Sequence, residues 1–342
     1  MRKCRWALVA CAFAALWGTR SESAEPSYHQ VAKLQIGGDG GWDYLNLDPE
    51  THRLYIARSN RVTVVDVDKG SVVGEVPNTP GVHGVALVPK LKRGFASSGA
   101  DNAVVVFDLG TLKETGRVTV GSRPDAILFD SATNRVFTMN GGSQDVTAVD
   151  PKSLKVVGTV PVGGRPEFAV SDGRGHVWVN IEDKGEVVEL DPRALKVTNR
   201  WPLAPGEGPS GLALDTRGRR LFSVCDNGKM TVLNADTGKL VATPAIGQGP
   251  DACVFDGSLG LAFSSNGRDG TLTVVKQETP DRYRDLATVP TQAGARTMTL
   301  DPKTHRIYLA TASFAPQTSG GAGPQRRPAV LPNSFVILVY GP

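Results

Sequence analysis

Seven residues at near-even spacing carry the side chains best suited to chemistry: Asp43, His83, Asp125, Glu167, Ser210, Asp251 and Arg296. Brought to one place, Asp125 and Glu167 could hold a hard divalent cation such as calcium or magnesium through carboxylate oxygens. His83 beside those carboxylates is suited to general-base work near neutral pH, and is the catalytic residue if the chain is an enzyme. The opposing expectation is a solvated rim, in which Arg296 offsets Asp251 and Asp43 and a wide, wet mouth leaves pKa values little changed. Trp42, next to Asp43, offers a ring on which a ligand could stack. One histidine in the set and no repeated His/Cys spacing argue against zinc.

What could gather residues about 40 apart is a repeat. A loop ending in Gly-x-x-Pro, an apolar strand, Asp-x-x-x-x-Arg, a second strand, a polar turn and a third strand recur down the chain. The first-strand ends fall at Asp48, Val88, Asp130, Asp172, Asp215, Asp256 and Asp301, spacings of 40, 42, 42, 43, 41 and 45 residues. Each unit holds four short alternating segments, as in 44–47, 53–57, 61–67 and 71–76, which predicts four strands per unit. A period of 40 to 50 residues with four strands is a β-propeller blade. Asp48, Asp130 and Asp301 each open a tight turn, where a carboxylate bonds the backbone, so they are read as structural.

The expected fold is therefore all-β: one seven-bladed propeller over residues 25–342, with units starting near 42, 83, 125, 167, 210, 251 and 296. The seventh unit lacks a fourth strand, and residues 30–36 supply a spare one, so the N-terminal strand is expected to complete the last blade and remove an open edge. In each blade the innermost strand lines the channel, and its opening residue faces the funnel mouth. That places the seven residues in one ring.

The chain resembles the YVTN-type β-propeller repeat proteins of bacteria and archaea. The likeness rests on Leu54-Tyr55-Ile56-Ala57, Val136-Phe137-Thr138-Met139-Asn140 and Ile307-Tyr308-Leu309-Ala310 in second strands, and on Val120-Gly121-Ser122-Arg123-Pro124 and Val162-Gly163-Gly164-Arg165-Pro166 between blades. It covers residues 42–342 and implies the fold, with no activity attached. The Gly-His and Trp-Asp pairs of WD-type blades are not repeated.

Residues 1–24 read as a secretory signal peptide, with a basic tip, an apolar stretch from Trp6 to Trp17 and a small-residue run from Ser21 to Ala24. From Glu25 onward 34 bases face 33 acids, and no basic run marks a nucleic-acid partner. No other segment approaches the roughly 20 apolar residues of a membrane span. A periplasmic or secreted monomer is expected. Removing the leader leaves Cys225 and Cys253, on adjacent blades, either as buried thiols or as one bridge. The second-to-third-strand turns, including Arg58, Asn140, Glu182, Asp183 and Asn266, read as ordinary turn formers. In the seventh blade that connection runs over 313–333 and is either a lid over the funnel or a disordered insertion.

Nucleophile-elbow, phosphate-cradling and haem-attachment motifs are missing. The leading expectation is a non-enzymatic exported binding or scaffold propeller whose rim holds a small molecule, a cell-envelope polymer or an exported protein. The alternative is a metal-assisted lyase or lactonase-type hydrolase at the funnel. A quinoprotein subunit resembling the amine dehydrogenase heavy chain has least support, since nothing ligates a haem.

Overall fold

The computed structural model describes residues 25–316 and 329–342. The expected signal peptide and the middle of the long connection lie outside the described residues. Within them, the chain forms 28 strands in seven four-stranded antiparallel sheets and no α-helix. The first blade holds Leu45–Asp48, Arg53–Arg58, Arg61–Asp66 and Ser71–Val76. The other blades repeat this order, and the inner strands contact one another around a closed ring.

Each blade packs both of its faces against neighbours, so its two middle strands are buried on both sides. Strands such as Arg53–Arg58 and Ala103–Asp108 are accordingly near-continuous runs of apolar and small residues. The outermost strands, such as Ser71–Val76, are mostly exposed.

The recurrent aspartate and arginine have separate structural duties. Asp48, Asp130, Asp256 and Asp301 accept turn N–H groups, those of Glu50, Thr133, Ser258 and Lys303, at 2.8 to 3.0 Å. In four blades an arginine at the start of the second strand stitches the blade to the next. Arg53 donates to the Leu109 carbonyl at 2.9 Å, Arg93 to Pro151 at 2.6 Å, Arg135 to Pro192 at 2.5 Å and Arg220 to Pro280 at 2.9 Å.

The ring closes by strand exchange. His29–Gln35 pairs antiparallel with Val336–Gly341, from His29 opposite Gly341 to Gln35 opposite Val336. Arg58, expected as a turn former, is instead the clasp of this closure. It is wholly buried, its guanidinium lies 3.7 Å over the Phe335 ring, and it donates to the carbonyls of Gly41 at 3.0 Å and Asp39 at 3.1 Å. Longer bonds reach the Gly37, Gly38 and Gly40 carbonyls, so one side chain gathers the whole 37–41 linker. Burial pushes the pKa of this guanidinium down to about 10.

Cys225 and Cys253 are both buried free thiols. Burial pushes the pKa of each up.

Candidate functional site

Six of the seven ring residues follow a loop that ends in proline or a tight turn, and five open an inner strand. Pro124, Pro166, Pro209 and Pro250 each begin a strand and precede Asp125, Glu167, Ser210 and Asp251. Proline is tolerated there because an inner strand has a free edge and needs no donor on it. The pairing of inner with second strand then breaks register at the ring residue. The breaks fall between Val82 and Val85, Pro124 and Ile127, Pro166 and Ala169, Pro209 and Leu212, and Pro250 and Ala252. Such a bulge re-aims a side chain, here the one that heads each inner strand.

The first blade differs. Its inner strand is predicted from Tyr44 but begins at Leu45, because the Tyr44 N–H bonds the His83 carbonyl of the second blade at 3.0 Å. The Tyr44 ring then crosses the axis to the fourth blade. Its hydroxyl donates to Glu167 Oε1 at 3.1 Å and its ring meets Phe168 edge-on at 4.9 Å. First and fourth blades are not neighbours, so this contact floors the mouth of the channel.

Above the floor stand two groups. His83 Nδ1 lies 2.6 Å from Asp43 Oδ2 and 3.7 Å from Asp125 Oδ1. Asp43, His83 and Asp125 each offer a ligand atom, all within 4.8 Å of one another, and among the described residues they form the one group of this kind. Beside them, Arg296 pairs with Asp251 at 3.0 Å, lies 3.9 Å from Asp43 and donates to the Trp42 carbonyl at 2.8 Å.

The ring residues are partly exposed, and several of their pKa values lie away from the ordinary range. Burial, with help from Asp43 and Glu182 and against His83 and Arg123, pushes the Asp125 carboxyl up to about 6. Burial, then Asp125, Glu182 and Asp251, push Glu167 up to about 9, with the Tyr44 hydrogen bond opposing. The hydrogen bond to Asp43 raises the His83 pKa against desolvation, and Asp125 adds to the rise. Burial would lower the pKa of Arg296, but Asp251 and Asp43 outweigh it. Tyr44 is held well above the ordinary tyrosine range by burial and by the carboxylates around it. Desolvation dominates both carboxyl shifts, which is the signature of a partly dry cleft.

Other expectations change. The cation pair Asp125 and Glu167 is not the one assembled: Asp125 joins Asp43 and His83, while Glu167 lies outside that group and serves Tyr44. Trp42 is no open platform. Its ring is 9% exposed and packs on Phe335 at 5.5 Å and Phe314 at 6.1 Å, at the junction of the last and first blades. Ser210 is also buried, and its hydroxyl is spent on the Pro250 carbonyl at 3.2 Å. Sequence reasoning missed Tyr44. The signal was present, since the residue after each ring position is Tyr44, Gly84, Ala126, Phe168, Gly211, Ala252 and Thr297, and the two large ones are the pair that meets across the axis.

Among solved structures, the chain is similar to "Kuenenia stuttgartiensis Hydrazine Synthase", with a TM-score of 0.70 and 16% identity over 79% of this chain and 92% of that one. It is also similar to a chain of "Crystal Structure of Mitotic Checkpoint Complex", with a TM-score of 0.69 and 14% identity over 90% of this chain and 95% of that one. At such identities the likeness is one of fold. No family model matches the chain, and no curated protein matches it.

Proposed function

We propose that this chain is an exported binding propeller of the YVTN-repeat type whose funnel mouth captures a small cation, with calcium or magnesium as the simplest occupant. The observation that carries this reading is the convergence of Asp43, His83 and Asp125, with ligand atoms within 4.8 Å of one another, beside the Tyr44–Glu167 floor. Carboxylates crowded into a partly dry cleft repel one another, and a cation relieves both the repulsion and the lost solvation. Hard divalent ions suit the two carboxylates, and neutral His83 can add a nitrogen ligand or a water contact. The leader-like residues 1–24 support delivery to the periplasm or beyond. A propeller in the mitotic checkpoint complex agrees with a wider scaffold role, in which an exported protein or envelope polymer meets the same rim.

The test is metal analysis of the purified protein together with thermal unfolding under calcium, magnesium and EDTA. A cation bound only by the native state stabilises it by about 2.7 kcal/mol at a hundredfold excess over Kd. The expected result is a midpoint rise that disappears in an Asp125→Asn variant. No bound metal and no shift with either ion would remove the cation reading.

A second reading rests on the 2.6 Å contact between Asp43 and His83. A carboxylate accepts only, so Nδ1 carries the proton and Nε2 is left as a base, oriented as in acyl-transfer and proton-abstraction sites. Under this reading the funnel hosts a lyase or lactonase-type hydrolase. A screen of lactones and lyase substrates in which His83→Ala loses all turnover would support it, and unchanged turnover in that variant would exclude His83 from the chemistry.

A further inference from the structure

We propose that the face opposite the funnel, in the sector of the second to fourth blades, docks this protein onto an anionic phospholipid surface. That face is built from the turns joining first to second and third to fourth strands. In these three blades the turns carry eight exposed bases. Lys90, Lys92 and Lys113 come from the second blade, Lys152 and Lys155 from the third, and Arg174, Arg193 and Lys196 from the fourth. Among the described residues none of the eight makes a close salt bridge, and Lys92, Lys152, Arg193 and Lys196 act on Asp108, Asp150 and Asp191 only through the field.

The acids of the same turns are tied to turn backbone, although Asp108, Asp150 and Asp191 stay at the surface and offset part of the positive charge. Asp108 accepts the N–H groups of Gly110 and Thr111, Asp150 those of Lys152 and Ser153, and Asp191 those of Arg193 and Ala194. Asp130 is buried, and Asp172 is taken by Arg219 at 3.0 Å. Glu114, a further exposed acid, is engaged by Arg117 at 2.8 Å. Since bases and acids almost balance over the chain from Glu25 onward, this is a local asymmetry and not a consequence of net charge.

Two further features favour a bilayer over a linear polyanion. The turns of this sector are only four or five residues long, so they end near one plane without a groove to track a polymer. Exposed aliphatic side chains also fringe the bases, because Val156 and Val157 follow Lys155 on the outer strand of the third blade, and both are more than 40% exposed. Bases beside exposed aliphatics are the composition of an interfacial membrane contact. Each base held near an anionic bilayer raises partitioning by about fivefold, and salt screens the effect.

The experiment is sedimentation of the purified chain with vesicles of phosphatidylcholine alone and of phosphatidylcholine with phosphatidylglycerol, at low and high salt. Three proteins are compared: the unaltered chain, a Lys152→Glu, Lys155→Glu, Lys196→Glu variant, and a Lys33→Glu, Lys184→Glu, Arg268→Glu variant with the same change of net charge placed off this face. The expected result is salt-sensitive binding to the phosphatidylglycerol vesicles alone. It should fall by about tenfold or more in the first variant and hold in the second, with thermal midpoints confirming that both fold. A Lys→Gln set at the same three positions should give a smaller loss and serves if the glutamate set misfolds. Equal binding to both vesicles, equal loss in both charge variants, or binding to soluble polyphosphate without binding to vesicles would each overturn the proposal.

Discussion

Replacing Glu167 with glutamine should leave stability almost unchanged at about pH 4 and raise it, relative to the unaltered protein, as the pH increases. In the native state the Glu167 carboxyl is pushed up to about 9 by burial and by Asp125, Glu182 and Asp251. In the unfolded chain it titrates near 4.5. Between those values the native state keeps a proton that the unfolded state has released, so stability falls as pH rises across the window and levels off above it. One full proton corresponds to about 1.4 kcal/mol per pH unit. From about pH 6 to about pH 8 that is about 2.7 kcal/mol, reduced to about 1 to 2 kcal/mol because Asp125 titrates at the lower end and shares the proton. Glutamine keeps the length and an oxygen to accept the Tyr44 hydroxyl, and it has no proton to lose. Urea unfolding at several pH values checks this: the two midpoints should meet near pH 4 and diverge as the pH rises above about 4.5, with unchanged m-values. Parallel pH profiles would mean that Glu167 is ionised in the native protein at neutral pH, and the argument for a dry floor would fail.

Arg58→Met should cost about 3 kcal/mol, because the part-buried carbonyls of the linker lose a charged donor and the Phe335 ring its cation. Urea unfolding reads the loss, limited proteolysis should cut ahead of Trp42, and Arg58→Lys should not restore stability because an ammonium cannot reproduce the planar fork. Asp43→Asn should lower the His83 pKa, since the bond to Asp43 is the largest cause of its rise. An NMR titration of the imidazole reads the shift, and with it goes stability that His83 lends at acid pH and that is lost as pH rises through its folded value. Cys225 and Cys253, buried and with raised pKa values, should react slowly with a disulfide reagent at about pH 8 and rapidly in urea. Fast reaction of the native protein would contradict their burial.

The blade count, the strand exchange and the location of the ring were legible because each is written in the backbone period. A propeller repeats turn chemistry every 40 to 45 residues, and Gly-x-x-Pro ahead of Asp125, Glu167, Ser210 and Asp251 marks the entry of each inner strand. What each ring side chain does once there was not legible. Ser210 and Asp251 occupy equivalent places, yet one bonds a backbone carbonyl and the other an arginine. Trp42 and Arg58 read as a surface ring and a turn residue, because the partners that bury them, Phe335 and the 37–41 linker, belong to the two ends of the chain. The Tyr44 contact joins residues 123 apart across an axis, and no local spacing encodes it.

The same contact bears on whether the ring is only a rim. A polar ring that merely faced water would let Glu167 reach solvent, and its carboxyl would stay near the ordinary value. Instead the register breaks at Pro166, the bulge turns Glu167 inward, and Tyr44 arrives from the far side to bond it. Holding this carboxyl half-buried is unfavourable, and a leucine or alanine there would remove the penalty. Local rules and global fold agree almost everywhere else in these blades, from the turn aspartates to the interblade arginines. At the mouth, carboxylate burial and like charge work against stability, and that is the feature on which the cation proposal draws. Under the proposed reading a cation placed among Asp43, His83 and Asp125 would convert that repulsion into coordination, with Arg296, 3.9 Å from Asp43, drawn to Asp251 at 3.0 Å.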